Sequence, residues 1–190
     1  MRDEPSDRRA TFEALFRADS DPWNFEDSDY ERDKRAATVN ALGARRFGSA
    51  LEVGCASGVL TAELATRCER LTAIDVSQTA LDLARSRISD LAHVRLLRGE
   101  VPGDWPTGRY DAIILSEILY FLTAPEIAAV SRLAHDGIAS GGIVLLVNWT
   151  GDNECEVDGD KAVELFRSAA DWRELLHRRA TSYRMDCFEA

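Results

Sequence analysis

Residues 51–60, LEVGCASGVL, decide the fold of this chain. A short apolar run at 50–53 leads into the small-residue turn GCASG at 54–58, and a helix is predicted from residue 57 onward. Small residues at such a turn let a ligand approach the backbone, and the following helix offers amide donors. The segment therefore predicts the first strand–turn–helix unit of an open α/β sheet, with a ligand beyond the carboxyl end of the strand.

The same alternation of apolar runs and helical segments continues along the chain. Further strands are predicted at 71–74, 93–97, 110–115 and 143–147, and helices at 57–68, 79–88, 124–135 and 160–169. Unbroken apolar runs separated by helices indicate a parallel sheet that is buried on both faces. Residues 172–188 instead predict two antiparallel strands. The predicted fold is a doubly wound, mostly parallel seven-stranded α/β sheet with helices on both faces and a C-terminal edge hairpin.

The domain organisation is predicted to be simple. The chain has 190 residues, about the length of one domain, and it contains no Pro-, Gly- or Ser-rich linker. Residues 1–46 carry a charged, aromatic segment followed by a helix at 30–46, and we expect them to form a helical cover. Residues 47–190 are expected to form the core of a single domain at 1–190.

Composition excludes several classes of partner. The chain carries 23 Lys and Arg against 33 Asp and Glu, a net charge of −10, which disfavours nucleic acid and anionic membranes as partners. The polar N-terminus MRDEPSDRR does not resemble a secretory signal. The four cysteines form no CxxC pair and the three histidines have no ligand spacing, so we expect no metal and a cytoplasmic location.

Glu52 restricts the ligand that the first turn accepts. A dinucleotide site would show GxGxxG, whereas this turn has the spacing Gly-x-Ala-x-Gly after Glu52. A carboxylate just before the turn repels a pyrophosphate and favours a ligand that carries an ammonium or sulfonium group. A nicotinamide-dependent oxidoreductase is therefore disfavoured.

This Glu-x-Gly-x-Ala-x-Gly pattern resembles the first motif of class I S-adenosylmethionine-dependent methyltransferases, which have a Rossmann-like fold. The resemblance covers nearly the whole chain and implies S-adenosylmethionine as cofactor, with S-adenosylhomocysteine as product. It implies that Asp75 accepts the ribose hydroxyls and that Glu100 and Val101 contact the adenine. The cofactor-binding residues implied in this core are Glu52, Gly54, Cys55, Ala56, Gly58, Asp75, Val76, Glu100, Val101 and Ser116.

Three segments carry a narrower resemblance. DPWNFEDSDYERDK at 21–34, SEILYFL at 116–122 and the acidic loop before Gly159 are similar to the nodulation protein S family of N-methyltransferases. The resemblance implies that Trp23 and Tyr30 cover the methionine part of the cofactor, and that Lys34 or Arg35 pairs with its carboxylate. The alternative is that both aromatic residues only pack the N-terminal helix onto the sheet.

The predicted function is methyl transfer to a small molecule. The predicted acceptor is the nitrogen of an amine on an amino sugar or a related saccharide or natural product. Glu117 is the candidate to hold the ammonium or to accept its proton, and Asn148 is the candidate to orient the acceptor. Two alternatives stay open, an O-methyltransferase acting on a hydroxyl and a non-catalytic cofactor-binding or interaction protein. The sequence is compatible with a monomer or a homodimer.

An acidic stretch follows the fifth predicted strand. Five acids lie between residues 152 and 160, namely Asp152, Glu154, Glu156, Asp158 and Asp160. They are either a solvated loop or a source of negative potential that attracts a cationic acceptor to the carboxyl edge of the sheet.

Overall fold

The computed structural model of the chain describes residues 5–153 and 155–190. The strands are β1 (Ala50–Val53), β2 (Leu71–Asp75), β3 (Val94–Arg98), β4 (Tyr110–Ser116), β5 (Ile138–Trp149), β6 (Arg173–Arg179) and β7 (Tyr183–Glu189). The helices are α1 (Pro5–Ala18), α2 (Asp29–Ala41), α3 (Val59–Ala65), α4 (Gln78–Arg87), α5 (Ala124–Gly137) and α6 (Gly159–Ser168). A short 3-10 helix, Leu119–Phe121, follows β4. Within the described residues, no helix is both long and apolar enough to cross a bilayer.

The strands form one seven-stranded sheet in the order β3-β2-β1-β4-β5-β7-β6. β1 pairs in parallel with β2 on one side and with β4 on the other, so that Val53 lies opposite both Ile74 and Leu115. The residues that follow these three strands therefore meet at one edge of the sheet. The strand order reverses at β1 and β4, and ligands of doubly wound sheets bind at such a reversal.

Both faces of the central strands are buried. In β4, Ile113 and Leu115 belong to an apolar cluster that includes Phe166 of α6, whereas Ala112 and Ile114 belong to another that includes Leu64 of α3. Because neighbouring residues of the strand enter opposite clusters, neither face tolerates polar side chains. This explains the unbroken apolar run from which the parallel sheet was predicted.

The predicted C-terminal hairpin is present at the sheet edge. β7 pairs antiparallel with β5, with Met185 opposite Val147, and β6 pairs antiparallel with β7 on the outside. β6 is mostly exposed and rich in charged residues, which oppose pairing with another edge strand. The predicted fold class is confirmed.

Three of the predicted element boundaries are wrong because of a glycine in the left-handed region. α2 ends at Ala41 rather than at 46, since the chain turns at Gly43 with φ of 67°. α3 begins at Val59 rather than at 57, because its N-cap Gly58 has φ of 79°. β5 begins at Ile138 rather than at 143, since an irregularity with Gly141 at φ 72° replaces the predicted turn.

Gly58→Ala is expected to lower the free energy of unfolding by about 1–3 kcal/mol more than Gly43→Ala does. Both substitutions strain a left-handed backbone, but only at Gly58 would the new Cβ be crowded, at 2.9 Å from the Cβ of Ala84. At Gly43 nothing lies within 4 Å of that position. Urea denaturation of the two variants measures the difference, and equal losses would contradict this account.

Candidate active site

A cavity of about 640 Å³ opens at the carboxyl edge of the sheet. Gly54, Asp75, Glu100 and Glu117, which end or follow β1, β2, β3 and β4, line it together with residues of α1 and α2. Small-molecule and cofactor sites usually have volumes of about 300–1,000 Å³. The strand ends and the N-terminal cover therefore enclose a site large enough for a cofactor.

Most of the residues selected from the sequence line this cavity. They are Trp23, Lys34, Glu52, Gly54, Cys55, Ala56, Asp75, Val76, Glu100, Val101, Ser116 and Glu117. Three other selected residues, Tyr30, Gly58 and Asn148, are not among its lining residues.

The turn after β1 approaches its neighbours so closely that a side chain is excluded at Gly54. A Cβ on Gly54 would lie 2.2 Å from Cγ2 of Ile118. Ala56 has φ of 49°, an unusual conformation for a residue with a Cβ, and its amide donates to Oδ2 of Asp75 at 2.9 Å. The alanine thus occupies a position that glycine adopts at lower cost, and the turn keeps its shape through Asp75.

Glu52 is a buried acid without a partner for one of its oxygens. The residue is 1% exposed, and among the described residues Oε2 has no hydrogen-bond partner. Burial raises the pKa of Glu52 to about 8, because desolvation penalises the charged form. A cationic group that entered the cavity beside this carboxyl would restore its ionised form.

Asp75 ends β2 and holds the surrounding loops in place. Oδ2 accepts the amide of Ala56 and Oδ1 accepts that of Ser77, both at 2.9 Å. Burial raises the pKa of the carboxyl, and the backbone donors oppose that effect. Each carboxylate oxygen can accept a second hydrogen bond, so Asp75 has capacity for two hydroxyl groups in the cavity.

Glu117 lies directly after β4 and has φ of 60°. Its Oε1 accepts from Nζ of Lys34 at 3.0 Å, while Oε2 accepts from the hydroxyl of Tyr120 at 2.7 Å and the amide of Trp149 at 2.9 Å. The hydrogen bond and negative charge of Glu117 raise the pKa of Tyr120, together with the larger effect of burial. Three donors thus fix the Glu117 carboxylate at the end of the cavity formed by β4 and β5.

Lys34 and Arg35, one of which is predicted to pair with the cofactor carboxylate, both have carboxylate partners within the protein. Nζ of Lys34, in a residue only 6% exposed, lies 2.9 Å from Glu31 and 3.0 Å from Glu117. Arg35 lines the cavity while its Nε pairs with Glu63 at 3.1 Å and Nη1 donates to the carbonyl of Phe25 at 2.6 Å. Two of the three N–H donors of Lys34 are therefore directed at carboxylates of the protein itself.

The N-terminal cover places aromatic rings on the cavity. The ring of Trp23 lies 5.6 Å from those of Phe16 and Phe25, and the ring of Phe12 lies 5.0 Å from that of Phe121. All five of these residues line the cavity. The phenylalanines of α1 were not selected from the sequence, since an isolated Phe on a charged helix gives no functional signal.

Tyr30 packs away from the cavity. Its ring lies 5.9 Å from that of Trp149 and 6.3 Å from that of Tyr183, in edge-on arrangements. For Tyr30 the structure favours the alternative weighed from the sequence, in which the aromatic residue packs the cover onto the sheet. Trp23 instead lines the cavity, and its place over the methionine part of the cofactor stays a prediction.

Arg8 of α1 closes the end of the cavity beside β3. Its Nε donates to Glu100 at 3.0 Å, and Nη1 and Nη2 donate to Glu126 at 3.0 and 2.6 Å. Ion pairing with both acids outweighs burial and raises the pKa of Arg8. Glu100, expected at the adenine, therefore already binds the cover helix through its side chain. Arg8 was missed because its partners are distant in the sequence.

Asn148 is the predicted acceptor-orienting residue, but the side chain that reaches the cavity is that of the next residue, Trp149. The side chain of Asn148 is fully buried, neither amide atom has a partner in the described part of the chain, and it lies beside Gly159. Successive side chains of a strand point to opposite faces, and Trp149 is the residue that lines the cavity. Asn153 and Cys155, also missed, line it from the loop after β5.

Two acids of the stretch after β5 have structural roles. Asp158 caps α6 by accepting the amide of Lys161 at 2.7 Å, and Asp160 pairs with Arg179 and Arg184. Hydrogen bonding to Arg179 lowers the pKa of Asp160. Glu154 lies outside the described residues. Among those described, no group of three or more His, Cys, Asp or Glu side chains is placed to hold a metal ion.

Glu13 attaches the cover to the N-terminus of α4. It accepts from the backbone amides of Gln78 and Thr79 and from the hydroxyls of Ser77 and Thr79, at 2.8 to 3.3 Å. The Thr79 hydroxyl and the other donors lower the pKa of Glu13 to about 2. α1 is thus held against the core by a carboxylate at a helix N-terminus.

Glu13→Gln is expected to lower the melting temperature at pH 7 by about 2–4 °C, the loss typical of a helix-cap interaction in a chain of this size. The ionised carboxylate stabilises the fold above its unfolded pKa of about 4.5, and this contribution is lost as the pH falls toward 2. The gap between wild type and variant should therefore close over that range. Thermal melts against pH measure it, with the exposed Glu164→Gln as control. A gap independent of pH would contradict the assignment.

The sequence of the chain matches one known protein family. The model of the family "Nodulation protein S (NodS)" matches residues 10–139. The chain belongs to the nodulation protein S family. The resemblance seen in the segments at 21–34 and 116–122 is thereby confirmed.

Curated members of this family match this chain over part of their own length. Nodulation protein S of Rhizobium tropici is 37% identical over 106 residues, which are 55% of this chain and 44% of the relative. That of Sinorhizobium fredii is 32% identical over 120 residues, 63% of this chain and 55% of the relative. The chain thus spans about half the length of the curated relatives it matches.

Solved structures extend the likeness to most of the chain. A candidate methyltransferase from Pseudomonas syringae is 30% identical with a TM-score of 0.75, covering 85% of this chain and 99% of that one. N-methyltransferase NodS from Bradyrhizobium japonicum WM9, solved with S-adenosylhomocysteine, is 24% identical with a TM-score of 0.82, covering 94% of this chain and 97% of that one. The second likeness is evidence for the fold alone.

Proposed function

We propose that the chain is an S-adenosylmethionine-dependent methyltransferase that methylates the amine of a small molecule, an amino sugar or a related saccharide or natural product. The placement of Glu52, Asp75 and Glu117 around one cavity at the carboxyl edge of the sheet carries the proposal. Membership of the nodulation protein S family supports it.

The residues around the cavity fit this cofactor. Asp75 has capacity for two hydroxyl donors, as a ribose requires, and Glu52 has an unpartnered oxygen where a cationic group is favoured. The turn at Gly54 packs closely against Ile118, and its residues Gly54, Cys55 and Ala56 line the cavity where the cofactor would bind. When bound, the cofactor supplies an electrophilic methyl group on its sulfonium, and the thioether that remains is a good leaving group. The chain's own task is then to bind, orient and exclude water.

The chain holds the acceptor through Glu117. An amine is mostly protonated near neutral pH and is attracted by a carboxylate, but it must be neutral when it attacks. Glu117 retains capacity for one further hydrogen bond beside those from Lys34, Tyr120 and the amide of Trp149. It is therefore suited to bind the ammonium, to accept its proton at this position and to orient the neutral nitrogen that results.

We also propose the division of the chain into a cover at 1–46 and a core at 47–190. The rings of Phe12, Phe16 and Trp23 from the cover line the cavity, and apolar rings exclude water from the methyl group that is transferred. The attachments of Arg8 and Glu13 to the core support a cover that stays closed over a bound cofactor.

Transfer of labelled methyl from S-adenosylmethionine to glucosamine oligomers tests this function. The matched acceptor is the fully N-acetylated oligomer, which has the same scaffold but an amide in place of each amine. We expect label on the glucosamine oligomers only, and mass spectrometry of the product to locate it on nitrogen.

The other outcomes identify the alternatives. Label on both oligomers would favour an O-methyltransferase, since both offer hydroxyl groups. Saturable binding of S-adenosylhomocysteine without turnover of amines or alcohols would favour a non-catalytic binding protein.

A further inference from the structure

Lys34 connects the cover to the end of β4. Its ammonium is buried between two carboxylates, Glu31 on its own helix and Glu117 after β4, and it lies 5.1 Å from the centre of the Tyr30 ring. The pair with Glu31 is local, at an i, i+3 spacing, whereas the pair with Glu117 spans two separate parts of the fold. Arg35 also lines the cavity and offers another cation to a ligand carboxylate.

The hydrogen bonds of Glu117 leave one open position. A carboxylate has about four lone-pair sites, two on each oxygen. Tyr120 and the amide of Trp149 occupy both sites of Oε2, and Lys34 occupies one site of Oε1. The open site is therefore on Oε1, next to the Lys34 ammonium, so the direction from which an acceptor approaches depends on where Lys34 holds this oxygen.

The charges of this group favour a cationic acceptor. Glu31 and Glu117 carry two negative charges against one positive charge on Lys34, so the three side chains together are net negative. All three side chains line the cavity. An ammonium group is attracted to such a site, and its N–H can donate to the open position of Glu117.

We propose that Lys34 is a positioning residue for the acceptor, acting through Glu117, and is not the partner of the cofactor carboxylate. This inference rests on the proposed function. Lys34 fixes Oε1 of Glu117, whose backbone is in the left-handed region. The open hydrogen-bonding position is thereby directed to the nitrogen that is methylated.

The test compares Lys34→Met with Lys34→Arg, using Lys161→Met as the matched control. Lys161 also pairs with a Glu at an i, i+3 spacing, on the exposed face of α6. For Lys34→Met we expect kcat/KM for glucosamine oligomers to fall by about tenfold to a hundredfold, which is the effect of misplacing an orienting group. The fall should come from a higher KM, a lower kcat, or both. Lys34→Arg should recover most of this loss, because a guanidinium can still donate to both carboxylates.

Calorimetry with S-adenosylhomocysteine separates the two roles of Lys34. We expect its Kd to change by less than about threefold in Lys34→Met, whereas loss of a charged partner for the cofactor carboxylate would raise it by more than about tenfold. Such a rise, or an unchanged kcat/KM, would overturn the inference. In the background of Glu117→Gln, the Lys34→Met substitution should have little further effect, and full additivity would also overturn it.

The outcomes remain distinct from failure of the proposed function. If wild type neither binds S-adenosylhomocysteine nor methylates amines, the proposed function fails. If wild type does both and only the Lys34 predictions fail, the positioning role alone fails. Should Lys34→Met not fold, Lys34→Gln, which keeps an amide NH2 group but loses the charge, is measured in its place with the same expectations.

Discussion

Glu117→Gln is expected to lower kcat for glucosamine oligomers by about 10²–10³-fold, the range typical when a charged or proton-handling group is removed from a reacting centre. The amide keeps an oxygen that accepts from the Trp149 backbone and the Tyr120 hydroxyl. It loses the charge that attracts the ammonium. The Kd for S-adenosylhomocysteine should change little, since Glu117 follows β4 whereas Asp75 ends β2, with β1 between them. Steady-state kinetics and calorimetry on the same preparation measure both quantities.

The control for this prediction is Glu156→Gln, the same chemical change on an exposed residue of the acidic loop. It should leave kcat unchanged. A Glu117→Gln variant with wild-type kcat would show that the carboxylate only supports the strand end. A variant that instead loses affinity for S-adenosylhomocysteine would place Glu117 on the cofactor.

Asp75→Ala is expected to weaken binding of S-adenosylhomocysteine by about 1–3 kcal/mol, the effect of losing hydrogen bonds to a charged acceptor. Part of the loss comes from the ribose hydroxyls. Another part comes from the amides of Ala56 and Ser77, which lose their acceptor and no longer fix the turn. Asp75→Asn keeps one acceptor oxygen and should be affected less. Asp82→Ala, on the exposed side of α4, is the matched control.

A 2′-deoxy analogue of S-adenosylhomocysteine separates these two parts. Wild type should bind the analogue more weakly than the parent compound, whereas Asp75→Ala should bind both with similar Kd. An Asp75→Ala variant that still discriminates the two ligands as strongly as wild type would contradict the role of Asp75 at the ribose.

The sequence predicted those parts of the site that depend on local pattern. The turn at Gly54, the acid at the end of β2 and the acid after β4 follow from strand ends, because the carboxyl ends of parallel strands meet at one edge. The apolar runs predicted the sheet for a similar reason. Residue types and spacing within a few positions were enough for these features.

The rest depends on contacts between distant segments or on side-chain direction. Lys34 of α2 pairs with Glu117 after β4, a contact between segments 83 residues apart that no local pattern records. Asn148 and Trp149 are adjacent, and only the register of β5 decides which one reaches the cavity. Arg8 acquires its role from acids far along the chain.

Parallel calorimetric titrations of the purified chain with S-adenosylhomocysteine and with NADH test the central claim most directly. The fold alone is compatible with either ligand, whereas Glu52 beside the turn favours a cationic cofactor over a pyrophosphate. We expect saturable binding of S-adenosylhomocysteine at one site per chain and no saturable heat with NADH. Binding of NADH, or the absence of binding by S-adenosylhomocysteine, would contradict the account.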